Sequence, residues 1–512
     1  MALFTAQLHP GRALGFFVLG ASVHDVLTRV KAEPQAFPKL EVLYSKDQPV
    51  TEQVCVVLPQ NGIRLRFDGP EQRLRLIEVI DFTKSHITFK DRDLVRPAGA
   101  TTAPEVPGES TAGPTFRHIY HRLLGPTYAG EFIPPAGSQG NGTYVLSYPG
   151  VAFNFSVPTS VYSADKDVVS LLSASSSQIA TSMAIFSGNS WAEVRPTLWT
   201  EVLPSVKLTS MLPRGKDVYP DEVSLIRLHG GGKIQLFRKW TTSSFWIILG
   251  ETTPQDLVAE LGPPNAIYRK NDQKMVIHKM RAASNTHGRP NMKDLGRPDE
   301  LTDTDQSSMH TGSDESENEA AVEEDGGSNA SGECFYNYFY FGFDILVSTP
   351  VPPSSLPPGE TKVPDEIGNG IKTHAPDRLV ATKLVLHGNI PGSYEFNRHR
   401  RCRWEISYLD DLSSDGGPVN SEMEFKTIEN LMSRKWEGVY PTDKTQPRQG
   451  GMVLNRGWGD SPGSSCEFLG GWEESGARRP EANGDSTTTL YGFPGMVFEV
   501  LKNDYVNTLT VF

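Results

Sequence analysis

Two fragments of this 512-residue chain have the residue types of an ester-hydrolysing site, in the right order. His229-Gly230-Gly231-Gly232 matches an oxyanion loop, and Gly459-Asp460-Ser461-Pro462-Gly463 matches the turn that presents a nucleophilic serine. The chemistry fails at one atom. The oxyanion is held by the backbone N–H of the residue after the serine, and Pro462 has none. Ser461 also stands in a Gly-rich stretch with no strand before it and no helix after it. A further fragment, Asp411-Leu412-Ser413-Ser414-Asp415-Gly416 with Glu422, has the oxygen donors, turn glycine and closing glutamate of a calcium loop. Pro418 sits where an apolar residue pairs in such loops, and Cys402–Tyr408 reads as a strand, not the entering helix, so a solvated acidic turn is the better reading. Gly230–Lys233 lacks the leading glycine of a phosphate loop. His118 and His121 share a helix face without a Cys, His or Asp set to complete a metal site. No catalytic, cofactor-binding or metal-binding residue is assigned, no cofactor is expected, and the chain reads as a non-enzyme.

The elements around these fragments repeat. Gly62–Phe67, Gly150–Phe155, Gly342–Val347 and Gly495–Val500 each open with a glycine and continue with apolar residues at alternate positions. Alternation buries one face of a strand, and the glycine fits a tight reversal from the strand before it. Preceding strands are expected at Val54–Leu58, Thr143–Tyr148, Phe335–Phe341 and Thr487–Tyr491. Following strands are expected at Leu74–Asp81, Ser182–Phe186, Ala381–His387 and Tyr505–Phe512. Helices fit Val23–Val30, Phe116–Leu124, Pro254–Leu261 and Phe425–Met432. Ser22 with Asp25, and Thr253 with Asp256, have the spacing of a helix cap and an acid in the first turn. Short strands come first, at Phe16–Leu19, His86–Lys90, Phe245–Leu249 and Arg403–Tyr408.

The expected fold class is α+β: tandem repeats of a strand–helix–β-hairpin–strand unit, in mostly antiparallel sheets, with long disordered insertions. Units are expected at 13–95, 115–192, 244–282 joined to 333–397, and 402–512, with a linker at 97–114 and a β-rich connector at 193–243. The turn glycines Gly62, Gly150, Gly342 and Gly495 are structural. Acidic residues 283–332, a proline-rich stretch at 348–377 and Gly/Ser-rich residues 456–486 read as insertions. Ser313 and Ser316 have acids close behind them and are candidate phosphorylation sites.

The net charge of −12 is concentrated: residues 295–333 hold twelve acids and one base, and the rest of the chain has 49 acidic against 48 basic residues. A body so near neutrality gives no basic footprint for nucleic acid and no polybasic attraction to anionic lipid, so no nucleic-acid partner and no direct membrane binding are expected. Four cysteines without a CxxC pair argue mildly for a reducing compartment. Ala13–Gly20, though apolar, runs on into an amphipathic helix and has a counterpart at Phe245–Leu261, which opposes a signal peptide. The expectation is a soluble, cytoplasmic protein.

Several runs resemble a known family. They are Leu43-Tyr44-Ser45, Asn61–Asp68, Gln72–Val79, Phe186–Ser190, Phe335–Leu346, Leu386-His387-Gly388-Asn389-Ile390-Pro391-Gly392-Ser393-Tyr394-Glu395-Phe396-Asn397 and Met496–Val500. Taken in order, from about Gly15 to Phe512, they resemble the phagosome (phagophore) assembly factor family. The resemblance implies a cytoplasmic adaptor without enzymatic activity that pairs with a WD-repeat β-propeller protein at sites of autophagosome formation and reaches membrane through that partner. It also implies an alternative role in traffic from the trans-Golgi network to the plasma membrane. It carries over no catalytic or ligand residue.

Overall fold

Phe4–His9 alternates strictly between buried and exposed side chains and forms strand β1, which is followed by two-residue strands β2 (Ala13–Leu14) and β3 (Phe17–Val18). The apolar N-terminal run thus folds back into a sheet, with Phe17 fully buried against Phe4, Phe16 and Phe37. Helix α1 (Val23–Ala32) begins at Ser22, whose side chain accepts a hydrogen bond from Asp25 N, and it buries Val23, Val26, Leu27 and Val30 along one stripe. A four-stranded meander follows: β4 (Glu41–Leu43), β5 (Val54–Leu58), β6 (Ile63–Phe67) and β7 (Leu74–Val79). This computed structural model describes residues 4–95, 112–126, 130–135, 140–172, 178–203, 221–269, 333–350, 378–412, 417–437, 451–455 and 487–512.

The order then recurs. Strand β8 (Ser85–Phe89) returns to lie parallel to β1, and β9 (Arg92–Asp93) continues that sheet. Helix α2 (Phe116–His118) leads into a π-turn over Ile119–Leu123, and a second meander runs through β10 (Glu131–Ile133), β11 (Asn141–Tyr148), β12 (Val151–Pro158) and β13 (Ala180–Ile185). Helix α3 (Val168–Leu172) lies between β12 and β13. Strand β13 pairs antiparallel with β7, fusing the two meanders into one sheet in the order β10-β11-β12-β13-β7-β6-β5-β4. One core serves both. Helix α4 (Trp191–Val194) and Leu198 cover a patch on the other face, built on Leu76, Val145, Ala152 and Ala184.

The C-terminal half has the same order. Strands β14 (Val223–Leu228), β15 (Lys233–Arg238) and β16 (Ser244–Ile248) precede α5 (Pro254–Leu261) and the meander β17 (Ala266–Arg269), β18 (Cys334–Tyr338), β19 (Phe343–Ser348) and β20 (Val380–His387). Strand β21 (Trp404–Ile406) lies parallel to β14, and β22 (Val419–Asn420) extends that sheet. Helix α6 (Phe425–Lys435) leads to β23 (Met452–Asn455), β24 (Thr487–Phe493), β25 (Met496–Val500) and β26 (Val506–Val511). Strand β26 pairs with β20, which closes the sheet order β17-β18-β19-β20-β26-β25-β24-β23.

The sheets are mostly antiparallel and the helices few, as an α+β reading requires. The sequence-derived unit is short by one strand, because each hairpin is preceded by an edge strand of three or four residues. The expected helix over Phe116–Leu124 is α-helical for one turn only. The strand expected over Phe16–Leu19 is shortened to β3, Phe17–Val18, which pairs with β2 after the chain reverses at Gly15. Strands β14 and β15, within the expected connector 193–243, belong to the sheet completed by β21. Gly62, Gly150, Gly342 and Gly495 stand at the hairpin turns with φ of +65°, +79°, +83° and +76°. Each meander has a register shift between its third and fourth strands, at Arg66/Phe67, Asn154/Phe155, Leu346/Val347 and Glu499/Val500, the same number of residues past each glycine. Such a bulge adds local twist, which lets the sheet curl over its helix.

Candidate functional site at the seam between the halves

The connection from β20 to β21, residues 388–401, leaves its own half and packs into the other. Phe396 is part of the N-terminal core, and Ile390 meets Val50 and Tyr505 in a small cluster fed by both halves. A Cβ on Gly392 would collide with the Tyr44 ring, so the backbone itself makes this contact. Asn389 and Asn397 take the left-handed conformation, at φ +46° and +67°, which asparagine tolerates better than most residues. Gln72, on the facing loop, does so too, at φ +52°.

These turns bring polar groups together out of water. The Gln72 amide donates to Asn389 O at 2.7 Å, and the Asn389 amide donates back to Gln72 Oε1 at 2.7 Å. Asn397 N donates to Asn389 Oδ1, and His24 Nδ1 lies 3.0 Å from Asn397 O. Arg400, 4% exposed, is held between two carboxylates: its Nε donates to Asp25 Oδ1 at 3.0 Å and its Nη1 to Glu222 Oε1 at 3.1 Å. Its guanidinium also lies 3.7 Å from the centroid of the Tyr340 ring. Arg73 pairs with the other oxygen of Glu222 at 2.9 Å, and Lys239 with Glu71 at 2.6 Å. Arg401 donates to Pro70 O, Gly388 O and Ser421 O. Burial opposes ionisation of Asp25, but Arg400 outweighs it and holds that carboxyl below its ordinary range. Burial is likewise outweighed at Glu222, by Arg73 and then Arg400.

Beside the seam lies a second cluster. Asp344 on β19 faces two imidazoles, with Oδ2 2.9 Å from His387 Nε2 and Oδ1 3.1 Å from His399 Nε2. The rings are stacked, 3.7 Å between centroids and 9° from parallel. Glu395 Oε2 lies 3.7 Å from His387 Nδ1, whereas His399 Nδ1 is buried without a hydrogen-bond partner. Burial disfavours charge on both rings. At His387 the Asp344 and Glu395 carboxylates outweigh it and raise the pKa, while His399 is pushed down.

The fragments singled out in the sequence do not converge on either cluster. His229–Gly232 is the β14–β15 turn; His229 Nδ1 lies 3.1 Å from Ser407 Oγ, but its other nitrogen faces the neutral Gln235 amide at 3.2 Å, which cannot support an imidazolium as a carboxylate would. Ser461, Ser313 and Ser316 lie outside the described residues, as does Ser413–Gly416 of the calcium-like loop. Glu422 of that loop accepts from Arg403 at 2.7 Å, and Asn420, two residues earlier, is in β22. His118 is buried with Nε2 2.9 Å from Asp93 O. In the strand expected over Phe335–Phe341, Tyr338 and Phe341 enter the core, and the strand itself ends at Tyr338. The sequence reading missed both clusters; the signals for them were three of the family-like runs, Leu386–Asn397 with His387, Asn389, Glu395 and Asn397, Phe335–Leu346 with Tyr340 and Asp344, and Gln72–Val79 with Gln72 and Arg73.

A two-half α+β chain of this topology, joined through a buried polar seam, defines a class by its architecture. No solved structure matches it. The chain belongs to the phagosome assembly factor 1 family, whose profile matches residues 13–292 and 370–512, and the resemblance read from the sequence is borne out. It is 25% identical over 513 residues to a PHAF1 protein of Arabidopsis thaliana, covering 99% of this chain and 92% of the relative. PHAF1 proteins of Drosophila melanogaster and Caenorhabditis elegans are 22% and 23% identical, each match covering 97% of this chain and 90% of the relative.

Proposed function

We propose that this chain is a non-catalytic adaptor in autophagosome formation, pairing with a WD-repeat β-propeller protein in the cytoplasm and reaching phagophore membrane through it. The observation that carries the reading is membership, over most of the chain, in a family described by its role in phagosome assembly. The seam supports it: charged groups that a catalytic site would aim at a substrate are here spent on one another, which suits a rigid platform. Among the described residues no helix is long and apolar enough to cross a membrane. We further read the four meanders as copies of one module, a reading supported by the glycine and register shift at the same offset in each.

Affinity purification of the tagged full chain from fed and starved cells tests this. Recovery of a β-propeller protein together with autophagy components is the expected result. Recovery of neither, in both states, overturns the partnership.

A further inference from the structure

We propose that Asp344, His387 and His399 bind one zinc ion. The donor atoms of all three lie within 4.8 Å of one another, and both Nε2 atoms aim at the two oxygens of one carboxylate. In a tetrahedral site with bonds of about 2.0–2.1 Å, neighbouring donors are about 3.3 Å apart, close to the 2.9 and 3.1 Å found here. Two imidazoles and a carboxylate are a zinc ligand set that leaves one position open.

Three features of the surroundings fit the ion. A ligating imidazole normally gives its second nitrogen to a carboxylate, and His387 Nδ1 faces Glu395 at 3.7 Å. Asp344 and Glu395 place two carboxylates against the imidazoles, a charge that a dication matches. A recess of about 360 Å³ lined by His387, Glu395, Lys383, Glu499 and Thr508 also lies beside the cluster, bordered by one of its three ligands.

The backbone sets the geometry. Gly342 turns into β19 so closely under residue 400 that a Cβ there would strike Arg400 O, and Arg400 N donates to Phe339 O at 3.0 Å. These contacts fix His399 over Asp344. Stacked rings have parallel lone pairs, so one ring must swing for both to grip an ion. His399 is the less tied of the two, because only its Nε2 has a polar partner whereas His387 is met at both nitrogens.

The test is zinc titration of the chelator-stripped full chain by calorimetry, with elemental analysis and the visible spectrum of the cobalt-loaded protein. We expect one zinc per chain, cobalt bands of low-coordinate geometry, and loss of saturable binding in Asp344→Asn and His399→Gln. Glu395→Gln, which keeps all three ligands, should weaken binding about 10–100-fold. If the ligand variants lose their cooperative thermal transition, Glu395→Gln alone decides. His121→Gln, in the other half, should bind as the parent does. Absence of saturable binding overturns the proposal and leaves a proton-sharing cluster only; binding undiminished in Asp344→Asn and Glu395→Gln overturns it as adventitious.

Discussion

Arg400 neutralises two buried carboxylates at once, and replacing it would strand both. For Arg400→Met a loss of about 3–5 kcal/mol is expected from urea denaturation at neutral pH. The pH dependence has a definite sign. Asp25 and Glu222 bind protons less readily folded than unfolded, so the stability they contribute is complete above the ordinary carboxylate range and is lost as pH falls through their depressed values. The parent should therefore weaken below about pH 4, and the gap between it and Arg400→Met should narrow there. The turn glycines offer a second contrast. Gly62→Ala sets a Cβ against Asp81 O at φ +65°, whereas at Gly495, with φ +76°, the nearest atom would be 3.4 Å away. Gly495→Ala should cost about 1–2 kcal/mol for the left-handed backbone alone, and Gly62→Ala clearly more, by the same denaturation assay.

At the level of elements, local chemistry decides what a sequence announces. The α5 start was legible because Thr253 and Asp256 form a full reciprocal capping box with Pro254 in the first turn. Thr253→Ala should lower stability by about 1 kcal/mol, seen as a reduced denaturation midpoint at unchanged slope. The hairpins were legible for a similar reason, a glycine followed by apolar alternation. The edge strands were not. Met452 and Val453 of β23 are 59% and 65% exposed, and Ile267 and Tyr268 of β17 both 56%, so neither strand shows the alternation that marks a half-buried one. Strand β1 does alternate, yet its partner β8 is non-local and parallel, which a search for hairpins passes over. Asp344 is separated from His387 by 43 residues and from His399 by 55, so nothing local in the sequence joins them.

Across the whole molecule, the seam makes one unit of two halves that each have a core of their own. The Gln72–Asn389 amide pair is its centre. Asn389→Ala keeps the backbone carbonyl that accepts from Gln72 but should leave Gln72 Oε1 and Asn397 N unpaired in a buried site and put alanine in the left-handed region, at a cost of about 1–3 kcal/mol for the polar groups alone. Scanning calorimetry should show a single transition for the parent. In the variant that transition should shift down and broaden or split, as each half begins to melt separately.

The strand order has a consequence for how the protein is made. In both halves the strand that reaches the ribosome's exit last, β13 or β26, lies in the middle of its eight-stranded sheet and not at an edge. Until β26 emerges, β20 and β25 present open hydrogen-bonding edges beside an apolar face, whereas by then every strand of the N-terminal sheet has its partners. The nascent C-terminal half is thus the stretch that needs shelter during synthesis, and its last strand is the keystone that ends the need.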